Sequence, residues 1–300
     1  MAAESSGDAQ EHKAHEYGRP MSIEDASNRF LIHPLSDVVV KFGIKFGLNP
    51  NLVSFMGLGC GILAAFLYYG LPNTSYVVGA FAAMLGWHIL DGADGRLARA
   101  TGNTSAFGRI IDGICDHLVF GAIYVALALQ MIASGAPTSV WWLVVATGVA
   151  HGIQAAGYEE RRQKYQRRLE GICREDVEET LLKIDGKKSL LASVYDAAQK
   201  LVAGGDYGLD GKLATLRTTE EGKEEAYALV HRTVPMVKTW GLLNANKRTF
   251  LIFAAALLGR PELFFLFELI VLSAIMAILM VAEWQMEKTL SATDRVTEPA

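Results

Sequence analysis

Residues 91–116 read DGADGRLARATGNTSAFGRIIDGICD and set Asp91, Asp94, Asp112 and Asp116 inside two long apolar segments. A carboxylate in the hydrocarbon of a membrane costs several kcal/mol unless it is paired, hydrated or bound to a cation. Very few arrangements satisfy four of them. Asp91 and Asp94 are three residues apart and Asp112 and Asp116 are four apart, so on helices each pair shares one face. Two acidic faces joined by a short glycine-containing loop can converge on a divalent metal.

Composition decides that the surroundings are a membrane. Of 300 residues, 51% are hydrophobic, and several runs reach the ~20 apolar residues that a spanning helix needs. The net charge of -4, without a long basic run, gives no sign of nucleic-acid binding. Cys60, Cys115 and Cys173 form no CxxC or zinc pattern, which argues against a structural metal or a disulfide framework. Met1 to His15 is polar and acidic, unlike a cleavable signal peptide.

The chain divides as follows. Residues 1–21 read as a disordered leader. Residues 22–48 read as an amphipathic helix in the membrane interface, from Ile23, Phe30, Leu31, Leu35, Val38, Phe42 and Phe46 with Arg29, Lys41 and Lys45 between them. Pro34 is expected to break or kink it. A soluble helix packed on the later polar insert is the alternative.

Residues 49–158 hold four spans: Leu52 to Leu71 after the start signal Asn49-Pro50-Asn51, Ser75 to Ala100, Phe107 to Ala133, and Ser139 to about Gly157. Gly57, Gly59 and Gly61 allow close contact with a neighbouring backbone. Residues 159–239 carry both charges densely and read as a cytoplasmic helical insert, with one helix near Leu190 to Val202 and another from Thr219 to Val234.

Residues 240–287 give helices five and six. Thr249 to Leu258 is too short to cross alone, so the fifth is expected to include Leu242, Asn244, Asn246, Lys247 and Arg248. The sixth runs from Leu263 to about Trp284 with Glu268 inside it, and residues 288–300 form a polar tail. The fold class is therefore an all-α integral membrane protein of six transmembrane helices. Lys41, Lys45, Arg96, Arg99, Arg109, Arg161, Arg162, Lys164, Lys247, Arg248 and Lys288 fall on one side of this map and Arg260 alone on the other. The positive-inside bias then places both termini, the insert and the aspartates at the cytoplasmic face.

Hard carboxylate ligands suit Mg²⁺ or Mn²⁺. Asp91 lies roughly a dozen ångströms below the loop at Gly102, at ~1.5 Å per residue, within reach of a soluble nucleotide and of a lipid. Arg99 and Arg109 can neutralise a phosphate, and Gly95 and Gly108 remove side chains where a ligand approaches the backbone. These features suit displacement at phosphorus.

The pattern Asp91-x2-Asp94-Gly95-x2-Ala98-Arg99-x8-Gly108-x3-Asp112-x3-Asp116 is similar, at every fixed position, to the signature of the CDP-alcohol phosphotransferases. Asn49-Pro50-Asn51 through Ser54 resembles the opening of that family's first helix. The resemblance implies that Asp91, Asp94, Asp112 and Asp116 hold two Mg²⁺ or Mn²⁺ ions and that Asp116 is also the general base. It implies that Gly95, Ala98 and Gly108 make room for a cytidine nucleotide with Arg99 near its phosphates. A CDP-linked donor, CDP-diacylglycerol or a CDP-alcohol, would then react with an alcohol or lipid acceptor, and CMP would leave. Many relatives are homodimers, which the glycine-rich faces permit.

The acceptor is open at this point, among glycerol phosphate, inositol or its phosphate, serine, choline, ethanolamine and diacylglycerol. Arg161, Lys247 and Arg248 are candidates to hold it and lean towards a phosphorylated or polyhydroxy acceptor, although positive-inside anchoring explains them equally well. His88 reads as a partner behind Asp91 or as a packing histidine, and His117 as structural. Glu268 reads as a partner of a basic residue on another span or as reaching a polar cavity. A cation or proton transporter would also use intramembrane aspartates, but it leaves the fixed glycines and arginines unexplained.

Overall fold

A computed structural model describes residues 20–103, 106–172 and 208–292, with residues 106–114 as helical backbone. All regular elements among the described residues are helical. A 3-10 turn at Met21–Ile23 and a π turn at Asn28–Ile32 precede α1, His33–Phe46. Then come α2, Pro50–Tyr69; α3, Thr74–Ala100; α4, Ala106–Ala133; and α5, Val140–Glu170. Past the undescribed stretch lie α6, Leu209–Leu216; α7, Glu220–Arg232; and α8, Val234–Trp240. The chain ends with α9, Ala245–Leu257; α10, Glu262–Leu266; a π turn at Phe267–Leu272; and α11, Ser273–Ala292. The expected leader up to residue 19, the helix at Leu190 to Val202, Cys173 and the tail beyond Ala292 lie outside the described residues.

Local chemistry explains the starts. The Asn49 side chain accepts from the Asn51 N–H at 2.9 Å, with Pro50 in the first turn of α2. Asn73 does the same for Ser75 at 2.9 Å, and Thr219 accepts from the Gly222 N–H at 3.1 Å. Each cap satisfies a donor that the first helical turn leaves unpaired. Pro34 does not end its helix, but the turn just before it is a π turn, Asn28–Ile32, that runs into α1 with helical backbone at Ile32 and His33. Such a distortion is the usual accommodation of a proline inside a helix.

Five helical stretches are long and apolar enough to cross a membrane: Pro50–Tyr69, Thr74–Ala100, Cys115–Ala133, Val140–Glu170 and Glu262–Ala292. They suggest a multi-pass membrane protein. Two expectations shift. α5 passes Gly157 without a break and carries the charged run as far as Glu170. The expected fifth crossing is shorter than its sequence implies: α9 has 13 residues, ~20 Å at 1.5 Å each. Asn244 is extended (φ -79°, ψ 161°) and follows a 3-10 turn at Gly241–Leu243, so Leu242 and Asn244 fall outside the helix.

The chain forms two units, one of residues 24–151 and 245–271, the other of residues 1–23, 152–244 and 272–300. In the first, small residues bring the spans together. A Cβ on Gly61 would lie 2.3 Å from Val119 Cγ2, and one on Gly57 3.5 Å from Trp87 and Leu90, while Gly59 has nothing within 4 Å. The faces of Gly57 and Gly61 that permit a dimer in the sequence are used inside this unit. Ala64, Tyr68, Ala80, Met84 and Ile123 complete its core, as expected where close packing rather than water exclusion holds spans together.

The second unit packs Tyr165, Leu209, Leu213, Ala226 and Val230 together. A charged seam surrounds them. Arg168 pairs with Asp210 at 2.6 Å and with Glu287 at 2.8 Å, and Lys164 with Glu287 at 2.9 Å. Burial pushes the Asp210 carboxyl upward, but Arg168, with Lys164 and Arg167, outweighs it and holds the group below its ordinary value of 3.8.

Gly61→Ala should destabilise the protein by about 1–3 kcal/mol, the usual range for overpacking, in thermal unfolding in detergent. Val119→Ala should rescue it, and Gly59→Ala should change nothing. A carboxyl depressed by folding stabilises the fold fully above its unfolded pKa and loses that contribution as pH falls through the folded one. Hydrogen exchange over residues 209–216 should therefore accelerate below pH 3.8 in the native chain, and Asp210→Asn should flatten that dependence.

Candidate functional site

Asp94 is the most enclosed carboxylate of the signature, 5% exposed on α3. Its Oδ2 accepts from the Ser54 hydroxyl on α2, and its Oδ1 from the Gly95 N–H at 2.5 Å. Ser54 can reach because Ser54, Gly57 and Gly61 form one buried row along α2, which lets α2 and α3 approach closely. Two donors on one carboxylate fix its plane. Asp91 is half-buried one turn earlier on α3, and Asp116 is half-buried on α4.

Arg99 is exposed at the end of α3, and a Cβ on Gly95 would lie 3.6 Å from its Nη1. The guanidinium therefore folds back over Gly95, beside the half-buried Ala98. Just beyond, Gly102 adopts φ 69°, and the Asn103 N–H bonds the Ala98 carbonyl at 2.9 Å. That left-handed residue, costly for a side chain bearing Cβ, turns the chain from α3 towards α4. Gly108 and Asp112 lie on the α4 backbone; their side-chain environment, like that of Arg109, is outside the described residues.

Among the described residues, no three His, Cys, Asp or Glu side chains form a group that could hold a metal ion, Asp112 standing outside them. The donor chemistry still fits one, since Asp91, Asp94 and Asp116 offer the hard oxygens that Mg²⁺ and Mn²⁺ prefer.

Deeper in the same unit lies a polar layer. His88 Nε2 and Thr249 Oγ1 are 2.8 Å apart, so His88 is a satisfied histidine joining α3 to α9. Arg248 Nε donates to Glu268 Oε1 at 2.7 Å, with the side chains 1% and 0% exposed. His151 Nδ1 is 3.9 Å from that same oxygen and 2.7 Å from the Tyr124 hydroxyl. Glu268 thus meets a basic residue of another helix. Lys247 pairs with Asp25 at 2.5 Å. In the other unit, Arg161 pairs with Glu283 at 2.8 Å and lies 4.1 Å over the Trp240 ring. All three cations expected near an acceptor are thus held by carboxylates of the protein.

Sequence reasoning assigned no role to Tyr124, His151, Thr249 or Asp37. Asp37 pairs with Arg96, which also donates to the His33 carbonyl at 3.2 Å. One signal was available: Asp37 is the single Asp or Glu between Asp25 and Asp91.

Residues 48–168 match the family described as CDP-alcohol phosphatidyltransferase. Over 105 residues the chain is 28% identical to a phosphatidylinositol phosphate synthase of Mycobacteroides abscessus, covering 35% of this chain and 41% of that protein. It is 30% identical over 100 residues to the phosphatidylinositol phosphate synthase of Mycolicibacterium smegmatis, covering 31% and 40%. An archaetidylinositol phosphate synthase of Pyrococcus horikoshii is 36% identical over 89 residues, covering 28% and 43%. The chain thus spans about two-fifths of the length of these relatives. No solved structure matches it. The matched segment contains the Ser54–Asp94 contact and every residue from Asp91 to Asp116.

Proposed function

We propose that this protein transfers a substituted phosphate group from a CDP-linked donor to an alcohol acceptor in a metal-dependent reaction that releases CMP. The observation that carries the reading is the Ser54–Asp94 contact beside Gly95 and the folded-back Arg99, inside the segment that matches the family. Asp91, Asp94, Asp112 and Asp116 would hold two Mg²⁺ or Mn²⁺ ions, which when bound stabilise negative charge on the attacking and leaving oxygens.

The chain's own residues do the rest. Ser54 and the Gly95 N–H hold Asp94 oriented. Gly95, Ala98 and Gly108 leave space for the cytidine, and Arg99 presents its planar fork to the diphosphate oxygens. Asp116 removes the acceptor hydroxyl proton. The freed oxygen attacks the β-phosphorus, the bond from that phosphorus to the bridging oxygen breaks, and CMP departs with that oxygen.

The acceptor we infer is a phosphorylated inositol, because the relatives are synthases of phosphatidylinositol phosphate and archaetidylinositol phosphate. Lys247, 36% exposed at its side chain, is the direct contact among the three candidate cations, and the enclosed Arg248 and Arg161 act through their surroundings. We also infer six crossings, with α9 as a short fifth reaching the interface at Lys247. Both termini and the aspartates then face the cytoplasm, in line with the one-sided distribution of Lys and Arg.

The test is purified full-length protein in liposomes with CDP-diacylglycerol, Mg²⁺ and inositol phosphate. CMP should appear only when donor and acceptor are both present, and EDTA should stop it. Asp112→Asn should reduce release to background while the protein still inserts. Undiminished turnover would contradict the metal site, and ion flux without CMP would identify a transporter instead. Ser54→Ala should lower kcat/KM by about 10–100-fold, the usual cost of removing a partner that orients a metal ligand, as read from initial rates at varied Mg²⁺.

A further inference from the structure

The stretch from Asp25 to Phe46 binds two helices that the proposed chemistry requires at a fixed separation. On the α3 side, Asp37 pairs with Arg96, and the Ser36 hydroxyl donates to the Ile89 carbonyl at 2.8 Å. The backbones are close there. A Cβ on Gly92 would lie 2.8 Å from Ser36 Oγ, and one on Gly43 2.9 Å from Leu97 Cδ2. These contacts at Ile89, Gly92, Arg96 and Leu97 bracket Asp91 and Asp94 within about a turn on either side.

On the α9 side, Asp25 accepts from Lys247 at 2.5 Å. Asn246 Nδ2 donates to Ser27 Oγ at 2.7 Å and to Asn28 Oδ1 at 2.6 Å. Burial raises the Asp25 carboxyl, but Lys247 and Ser27 outweigh it and hold it below its ordinary value, so the carboxyl is ionised at neutral pH. One continuous segment therefore joins the helix of Asp91 and Asp94 to the helix of Lys247.

We propose that residues 25–46 are a brace that sets the rotation of α3 against α9, with Asp37 as a positioning residue for Asp91 and Asp94. The inference rests on the transferase reading above. Its physical basis is that Gly92, Ala93 and Gly95 leave this stretch of α3 with little side-chain relief against turning about its axis. Polar pins supply what shape complementarity lacks. Arg96 stands at an unfixed position of the signature and pairs with Asp37 and the His33 carbonyl, which makes it part of the brace. A 1 Å displacement of reacting groups can cost 10²-fold in rate, which makes a remote pin visible in catalysis.

The experiment uses the full chain in nanodiscs and Mn²⁺ alone as probe, with free Mn²⁺ followed by its electron paramagnetic resonance signal. Asp37→Ala should raise the Mn²⁺ Kd by about 10-fold or more and lower kcat by about 10–100-fold. Asp37→Glu, which keeps the charge pair, should recover most of both. Thermal unfolding is measured beside each variant. Should Asp37→Ala not fold, Ser36→Ala, which removes only the bond to Ile89, must move Kd and kcat in the same direction. A folded Asp37→Ala or Ser36→Ala protein with native Mn²⁺ affinity and native kcat overturns the brace. Native protein that binds Mn²⁺ but releases no CMP overturns the transferase reading and leaves the brace to be judged on affinity. Native protein that binds no Mn²⁺ overturns both.

Discussion

A carboxylate withdrawn from water among membrane helices must be given donors, and Asp94 receives them from Ser54 and the Gly95 N–H. Much of the architecture follows from the shortness of the serine side chain. A hydroxyl one carbon from the backbone reaches a neighbouring helix only if the two axes are close. The row Ser54, Gly57, Gly61 on α2 secures that closeness, with Trp87 and Leu90 of α3 over Gly57 and Val119 of α4 over Gly61. The same small-residue face that packs the bundle therefore delivers a donor to the site. Bulk added along it would widen the gap that Ser54 must bridge.

A second layer, beneath the first, has the same logic with higher stakes. Arg248 and Glu268 are almost wholly enclosed, and removing either would leave the other as an uncompensated charge. His151 lies between Glu268 and Tyr124, and His88 reaches Thr249 from the helix of Asp91. Such groups are expensive in a bundle and contribute little net stability; what they supply is fixed orientation. α9, too short to be held by apolar area alone, is located by these contacts and by Asn246 and Lys247 at its start.

The legible parts of this chain were those written in local sequence. Asn49-Pro50-Asn51 announces a helix start because cap chemistry involves neighbours, and Asp91 through Asp116 announces a site because the spacing matches helical periodicity. The length of α5 was not legible. Glu160, Arg161, Lys164 and Arg168 read by hydropathy as the start of a separate helical insert, yet they continue α5 and each has a partner in the folded unit. Pro34 marks a distortion, the π turn just before it, but not an end of the helix, and the true start of α9 depends on the backbone at Asn244. Asp37 and Arg96 are 59 residues apart, and no periodicity connects them; the isolation of Asp37 among uncharged and basic neighbours was the sole hint.

The basic residues show why the donor half of the site reads more easily than the acceptor half. A signature built on one helix hairpin lies in a single short stretch of sequence, where a resemblance can be recognised. Lys247, Arg248 and Arg161 instead take their meaning from Asp25, Glu268 and Glu283, each distant in sequence. In the proposed reaction this pairing bears on selectivity. A bare ammonium that is partly withdrawn from water would be costly before substrate arrives, and Asp25 offsets that cost for Lys247. An anionic acceptor would share the ammonium with Asp25, whose bond to Lys247 the brace retains, since an ammonium has three donors. A neutral alcohol would gain only a hydrogen bond there. In the proposed reading the ammonium of the intact pair thus favours a phosphorylated acceptor over its unphosphorylated counterpart.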